Sequence, residues 1–372
     1  MHLSQARPAR TRNQPQTHAM LAVNAPASSA HASLSRARVA RGAIRLGTFP
    51  RGALGSTRGH RRFAPRRAVA PTAAASDERV TVIGEALWDS LPQGLFLGGA
   101  PANVACHLNE LGRSPAVVSR VGDDELGREV IRRLTTRGLD VRNVQVDTDG
   151  IPTGFVVVTM DGAMPSYDIV QPSAWDAMAV TDALMEAASD AVVVYGSLAQ
   201  RDARSASAID AAAAAASRRV FDINLREPFI DPATCVRHAR ECWLLKLNDD
   251  ELPRVFEWCG LEGIDASNVT AMACATREAL ECENLCVTRS GDGAVLVSSS
   301  GSVAQHPGFE VEAIDTVGAG DSFLATLLDS LLDGKAQEVA LERACRIGAF
   351  VATKQGATPR HDAEGIKALK RK

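Results

Sequence analysis

Short apolar runs recur along this chain, separated by segments with helical periodicity, and that alternation limits the fold more than any other feature. The runs are Val80–Ile83 ending at Gly84, Ala116–Val121, Ala191–Tyr195 ending at Gly196, Val220–Ile223, Cys242–Leu245 and Leu285–Thr288. Ala294–Ser298 continues the β pattern after the Gly291-Asp292-Gly293 turn. Between them, Ala102–Leu111 places Val104, Ala105, Leu108 and Leu111 on one helical face. Glu125–Arg137 is a charged helix closing at Gly138, and Ala203–Ser217 is an Ala-rich one. Ser322–Leu332 and Gln337–Thr353 are the last two helices. Strands alternating with helices predict an α/β fold, a doubly wound and mostly parallel sheet covered on both faces. One segment breaks the rhythm. Residues 154–160 and 166–170 flank Asp161-Gly162 as a hairpin would, and with the stretch near 90–100 they predict a small β lid, about 89–100 and 151–172.

Charge divides the chain in two. Residues 1–76 hold thirteen Arg and no Lys, Asp or Glu, and the first acidic residue is Asp77. Of the 41 basic and 44 acidic residues, 28 basic and all 44 acidic residues fall after that leader. An Arg-rich, Ser-rich, acid-free leader is the pattern of an organelle transit peptide, here with small residues from Ala68 to Ser76 as the cleavage region. A basic arm for nucleic acid is the other reading. The lack of a strong amphipathic helix in the leader favours a plastid over a mitochondrion. Residues 77–372 are then the folded body, long enough for one large core with a small appendage. Its acidity argues against general nucleic-acid binding, and no apolar run is long enough to cross a bilayer. The eight Cys form no CxxC pair and no zinc spacing, so they read as reduced, mostly buried thiols.

The strongest chemical motif is Asp315-Thr316-Val317-Gly318-Ala319-Gly320-Asp321-Ser322-Phe323. Small residues there let the backbone approach a ligand, and free amides of the first helical turn point at it. The partial positive charge at that end favours an anion such as a phosphoryl group. Asp321 in the first turn can take a proton from an attacking hydroxyl, and phosphoryl transfer asks for little more than positioning, charge neutralisation and such a base. A plain glycine turn with an Asp on the helix dipole would share this string.

Three further motifs accompany it, the first of them in two parts. Gly98-Gly99-Ala100-Pro101-Ala102-Asn103 opens the first amphipathic helix, where Asn103 offers a donor and an acceptor. Upstream, Gly84-Glu85-Ala86-Leu87-Trp88-Asp89 leaves a strand end and delivers Asp89, a carboxylate able to accept from two hydroxyls. Asn248-Asp249-Asp250-Glu251 follows a strand, and its spacing also suits a reciprocal helix cap. Thr288-Arg289-Ser290-Gly291-Asp292-Gly293 is a strand with a tight turn.

In this order the four segments resemble the ribokinase-like family of phosphofructokinase B-type carbohydrate kinases. The resemblance covers about residues 79–360. GGAPANVACHLNELG with SRVGDDELG looks like the family's first motif, and DTVGAGDSF like its second. No GxxxxGK string occurs, in keeping with a family that binds ATP without a P-loop. The resemblance implies that Asp321 is the catalytic base and that the amides of Gly318, Ala319 and Gly320 form the anion hole. It implies that Asp89, Gly99 and Asn103 bind sugar, with Arg226 at a basic substrate or phosphate position of fructokinase-like members. Asn248 and Glu251 match the motif that organises Mg²⁺ and phosphate, Glu251 through water. Thr288, Gly291 and Gly293 fall where the nucleotide lies. Asp315, Val317 and Gly356 match an activating K⁺ site, with Arg360 departing from the small residue some members carry there.

The opening GExLxD and GGAPANVA look most like the fructokinase-like branch. A nucleoside kinase of the same family, or a kinase-like protein acting as a structural partner in an organelle complex, are the alternatives. Lid side chains such as Tyr167 and Trp175 would shape a sugar pocket or pack the lid. Pairing of lids across a homodimer is one way to cover its exposed edges.

Overall fold

The computed structural model describes residues 78–372 apart from 92–93, 162–163 and 241, with the backbone alone at 158–161 and 164–167. The leader and the Tyr167 side chain lie outside the described residues.

In chain order the elements are β1 Val80–Ile83, β2 Leu87–Leu91, β3 Gly94–Gly98, α1 Ala100–Glu110, β4 Ala116–Gly122, α2 Glu125–Thr136, β5 Asp140–Asp147, β6 Gly154–Asp161 and β7 Met164–Ile169. There follow α3 Asp182–Ala188, β8 Val192–Gly196, α4 Ala203–Ala215, β9 Arg218–Asp222, α5 Pro232–Ala239, β10 Leu244–Asn248, α6 Glu251–Trp258 and α7 Val269–Leu280. The last are β11 Asn284–Thr288, β12 Ala294–Ser298, β13 Val303–His306, α8 Ala319–Leu332 and α9 Gln337–Ala352.

The large sheet has nine strands in the order β13-β12-β11-β10-β9-β8-β1-β4-β5. It is parallel from β5 to β11, and β12 and β13 add an antiparallel edge. β1 is buried on both faces, which is why its four residues are apolar or, in Thr81, bonded through the side chain to the Ala187 carbonyl (2.6 Å). Apolar faces of α1, α2, α8 and α9 cover one side through Val104, Leu108, Leu134, Leu324, Leu328 and Leu341. Helices α3 to α7 cover the other through Leu184, Ile209, Leu252, Val255 and Met272. The predicted α/β architecture is therefore the observed one.

A second sheet, β3-β2-β6-β7, forms the small lid. It runs over Leu87–Leu91, Gly94–Gly98, Gly154–Asp161 and Met164–Ile169, so it starts two residues before the expected limit. β2 continues almost directly from β1, and β3 leads straight into α1. The lid is thus tied to the centre of the large sheet at both ends of one hairpin.

Several elements differ from expectation. β10 starts at Leu244, not Cys242, because Leu244 is the first residue paired with Val220 and Asn284. α8 starts at Ala319, not Ser322, because Gly318 takes a left-handed turn (φ 79°) that ends the loop early. β5 escapes a periodicity reading since it is a polar edge strand, half exposed. Trp175 belongs to a single helical turn that is wholly buried, with the Arg201 guanidinium 4.0 Å over its ring. It packs the core rather than lining a pocket.

Candidate active site

The helix α8 begins over the C-terminal end of the large sheet, where β9, β10 and β11 stop. Only glycine serves at its cap: Gly318 has positive φ, and a Cβ there would collide with the Ala357 carbonyl behind it. That carbonyl is fixed in turn by His107 of α1, whose Nε2–H donates to it at 2.9 Å. The other ring nitrogen of His107 therefore accepts, from His361 Nε2 at 3.0 Å. Ala319 N closes a turn on Thr316 O (3.2 Å), and Ser322 N makes the first helical bond to Gly318 O (2.9 Å). The amides of Gly318, Gly320 and Asp321 have no protein acceptor among the described residues. They are the free donors that a helix start offers to an anion. Ala319, expected among them, is the one already engaged.

Asp321 follows in the first turn. Asn103, one turn into α1 and almost fully buried, donates Nδ2–H to Asp321 Oδ2 at 2.9 Å. Arg113 at the end of α1 bonds Asp329 of α8 at 2.8 Å, both buried, so the two helices are pinned at two points. Burial first, then the Asp222 charge, push the Asp321 carboxyl up to about 6, against the pull of Asn103, Lys246 and Arg226. Such a group is ionised at neutral pH yet basic enough to take a hydroxyl proton.

Near it lie the motifs expected on the sugar side. Asp89 lies on lid strand β2, beside Gly98 of β3. Burial and the Asp321 charge raise its carboxyl to about 6, with Arg226 opposing. Gly99 (φ 99°) caps α1 and packs on the Glu85 backbone, where a Cβ would strike the Glu85 carbonyl. Arg226 is exposed, in the loop after β9, and its charge acts on Glu85, Asp89 and Asp321 alike.

Asn248 and Glu251 adopt the reciprocal cap. Asn248 Oδ1 accepts from Glu251 N (2.8 Å), and Glu251 Oε2 accepts from Asn248 N (2.8 Å). Glu251 Oε1 also accepts from Leu225 N at 2.8 Å, fixing the loop that carries Arg226. Burial raises the Glu251 carboxyl, with Lys246 opposing. Thr288 pairs with Asn248 across β10 and β11, so this motif and the next are strand neighbours. In the turn beyond, the Gly291 carbonyl accepts from Lys372 Nζ at 2.7 Å, and Gly293 has φ 80°. Asp315 gathers its own loop: Oδ1 accepts from Val317 N and Oδ2 from Gly356 N, both at 3.0 Å. Arg360 turns away to pair with Glu110.

Sequence reasoning missed the pair beneath Asp321. Lys246 of β10 donates Nζ–H to both oxygens of Asp222 on β9 (2.9 and 3.0 Å), and both are buried. Burial alone would lower the Lys246 ammonium, but Asp222, Glu251 and Asp321 outweigh it and hold it above its ordinary value. Its Nζ lies 3.5 Å from where a Cβ on Gly320 would stand, next to the open amides. A lone Lys inside the apolar strand Leu244–Asn248 was the available signal.

An anion-ready helix start, a recessed carboxylate and a second sheet carrying polar groups define a small-molecule kinase. The chain belongs to the pfkB family of carbohydrate kinases, whose family model matches residues 93–363, and it is a sugar kinase. It is similar to fructokinase-2 of Zea mays, 31% identical over 312 residues (75% of this chain, 90% of the relative). It is 30% identical to the fructokinase of Escherichia coli over 299 residues (75% and 94%). The crystal structure of Vibrio cholerae fructokinase with fructose, ADP and a calcium ion superposes with a TM-score of 0.67 at 26% identity, covering 79% of this chain and 99% of that one. The aminoimidazole riboside kinase of Salmonella enterica shares the fold, with a TM-score of 0.64 at 24% identity over 78% of this chain and 98% of that one.

Proposed function

We propose that the protein transfers the γ-phosphoryl of MgATP to a hydroxyl of a fructose-like sugar, with Asp321 as general base. The carrying observation is Asp321 itself, held by Asn103 at 2.9 Å in a helix turn whose neighbouring amides are open. Asp89, Asn103, Gly99 and Arg226 bind the sugar side. The amides of α8 receive the phosphoryl oxygens, and Thr288, Gly291 and Gly293 receive the nucleotide.

Negative groups outnumber positive ones here: Glu85, Asp89, Asp222, Glu251 and Asp321 act on a region with Arg226 and Lys246 as cations. A polyphosphate entering it needs an added cation, and Mg²⁺ neutralises phosphate charge in this chemistry. Glu251 is the residue proposed to stand behind that ion, through water. Asp315, whose carboxylate accepts from the Val317 and Gly356 amides, is proposed to frame a K⁺ loop with them, and a homodimer through the lid is proposed to cover its edges.

ATP consumption across a sugar panel tests the reading. Fructose is expected as the best acceptor, and Asp321→Asn should lose about 10²–10⁴-fold in kcat while both substrates still bind. Near-wild-type turnover in that variant removes Asp321 from the mechanism. Sugar-independent or absent turnover in the wild type favours a structural partner instead. Residues 1–76 are proposed as a leader removed on import into a plastid. N-terminal sequencing of the mature protein should start near residues 68–80, and a dominant intact Met1 refutes it.

A further inference from the structure

The turn assigned above to the nucleotide is gripped from outside by a segment far along the chain. The turn is Ser290–Asp292, followed by Gly293. Its floor is the corner after β13: a Cβ on Gly293 would strike the His306 carbonyl, and one on Gly308 would strike the Gly291 carbonyl. Beyond the corner runs β14, Phe309–Glu310, which pairs antiparallel with β15, Lys370–Arg371. Lys372 N continues the ladder by donating to Gly308 O at 3.2 Å. Its side chain then reaches the turn. Nζ donates to Gly291 O at 2.7 Å and lies 3.7 Å from Asp292 Oδ1.

The segment is anchored before it arrives. Helix α10, Ala363–Ala368, leads into β15, and Ile366 and Leu369 pack on Ile347, Phe350 and Val351 of α9. Arg346 of α9 donates Nη1–H to Leu369 O at 3.2 Å and stands 4.4 Å over the Phe309 ring. So α9, β14 and β15 form one brace, and Lys372 carries it to the turn.

The grip falls on one peptide plane. The plane joining Gly291 and Asp292 has its N–H on Arg289 O (2.7 Å) and its C=O on Lys372, so both ends are held. Ser290 beside it has φ 46° and Gly293 φ 80°. A non-glycine at positive φ persists where its surroundings fix it. The Asp292 carboxylate is well exposed, so its ion pair with Lys372 adds little and the bond to Gly291 is the main contact.

We propose that Lys372 is a positioning residue for the nucleotide: by holding the Gly291–Asp292 peptide it fixes the turn on which MgATP binds. This rests on reading Thr288, Gly291 and Gly293 as nucleotide residues. A turn already ordered costs the ligand nothing to order, whereas a turn that is competent only part of the time weakens affinity by that fraction. The sugar-side residues stand on the lid, α1 and the loop after β9, so the effect is confined to the nucleotide.

The test reads MgADP affinity by calorimetry and ATP KM by steady-state kinetics with fructose, on the full chain. Lys372→Met keeps the apolar stem and removes the donor. It should raise both the MgADP Kd and the ATP KM about fivefold, as for a turn competent about one-fifth of the time. Sugar KM, and kcat at saturating ATP, should stay within about twofold. Lys372→Arg restores a charged donor and should recover most of the affinity. Stopping the chain after Leu369 should weaken MgADP at least as much as Lys372→Met. A strand that only stabilises the fold would instead lower the urea midpoint and leave ATP KM alone, and that result overturns the proposal. So does a sugar KM that rises in step with ATP KM. Unchanged MgADP affinity in both Lys372→Met and the shortened chain, with the wild type binding MgADP, overturns this inference and leaves the kinase reading standing. A wild type that binds neither MgADP nor MgATP overturns the reading beneath it, and this inference with it.

Discussion

Asn103 offers the sharpest perturbation of the proposed base. Its Nδ2–H gives Asp321 a hydrogen bond at 2.9 Å that favours the ionised carboxylate. Asn103→Ala removes that donor. A hydrogen bond to a charged group contributes about 1.5–3 kcal/mol, and water entering the space left behind restores part of it. Taking the lower end, at 1.36 kcal/mol per tenfold, the acidic limb of kcat moves from about 6 to about 7. The direction follows from the base: ionised Asp321 is the active form, so activity is lost on the acid side. With saturating sugar and ATP, the wild-type to variant ratio of kcat should be about 5 at pH 6, about 2 at pH 7 and near 1 at pH 9 from protonation alone. Steady-state kinetics over that range measures it, and sugar KM is read apart because Asn103 also faces the acceptor. A ratio that stays constant with pH would show that Asn103 does not tune the base, and a ratio growing toward alkaline pH would reverse the assignment.

Lys246→Met strands the Asp222 carboxylate in the core, which should cost about 3–5 kcal/mol in urea unfolding, with most of it regained in the Lys246→Met/Asp222→Asn pair. A loss under about 1 kcal/mol in the single variant would mean the pair is far better hydrated than its burial states. Gly318→Ala forces a side chain into positive φ and against the Ala357 carbonyl, at about 1–2 kcal/mol from the backbone alone. The first turn of α8 must shift, so kcat should drop about tenfold or more. Wild-type kcat in that variant would contradict the role given to the turn.

The alternation of short apolar runs with helical segments made the layered sheet legible, because buried parallel strands carry no polar face. The glycine turn that carries the proposed base was legible for a similar reason: close backbone approach leaves glycine in the sequence. The Asp222–Lys246 pair was not, since it depends on β9 lying beside β10, a register that pairing alone decides. Nothing in the sequence signals that Glu85 is buried, because its burial depends on the packing of distant elements. Asn248 and Glu251 suited both a cap and a phosphate motif, and the structure shows the cap without emptying the second role.

The order of assembly has a consequence for the newly made chain. Every strand of both the large sheet and the lid is complete once His306 has been made, and the acceptor-side residues are in place by Arg226. Asp321, the proposed base, and the open amides arrive only after that, on α8, whose Leu324, Leu327 and Leu328 complete the core against α1. A product broken off between residues 306 and 319 therefore carries a scaffold with no means of moving a phosphoryl group. It also leaves a wide apolar face of the sheet bare, which makes it prone to aggregate or be degraded. Interrupted synthesis at that point therefore yields a chain that lacks Asp321 and cannot run the proposed reaction.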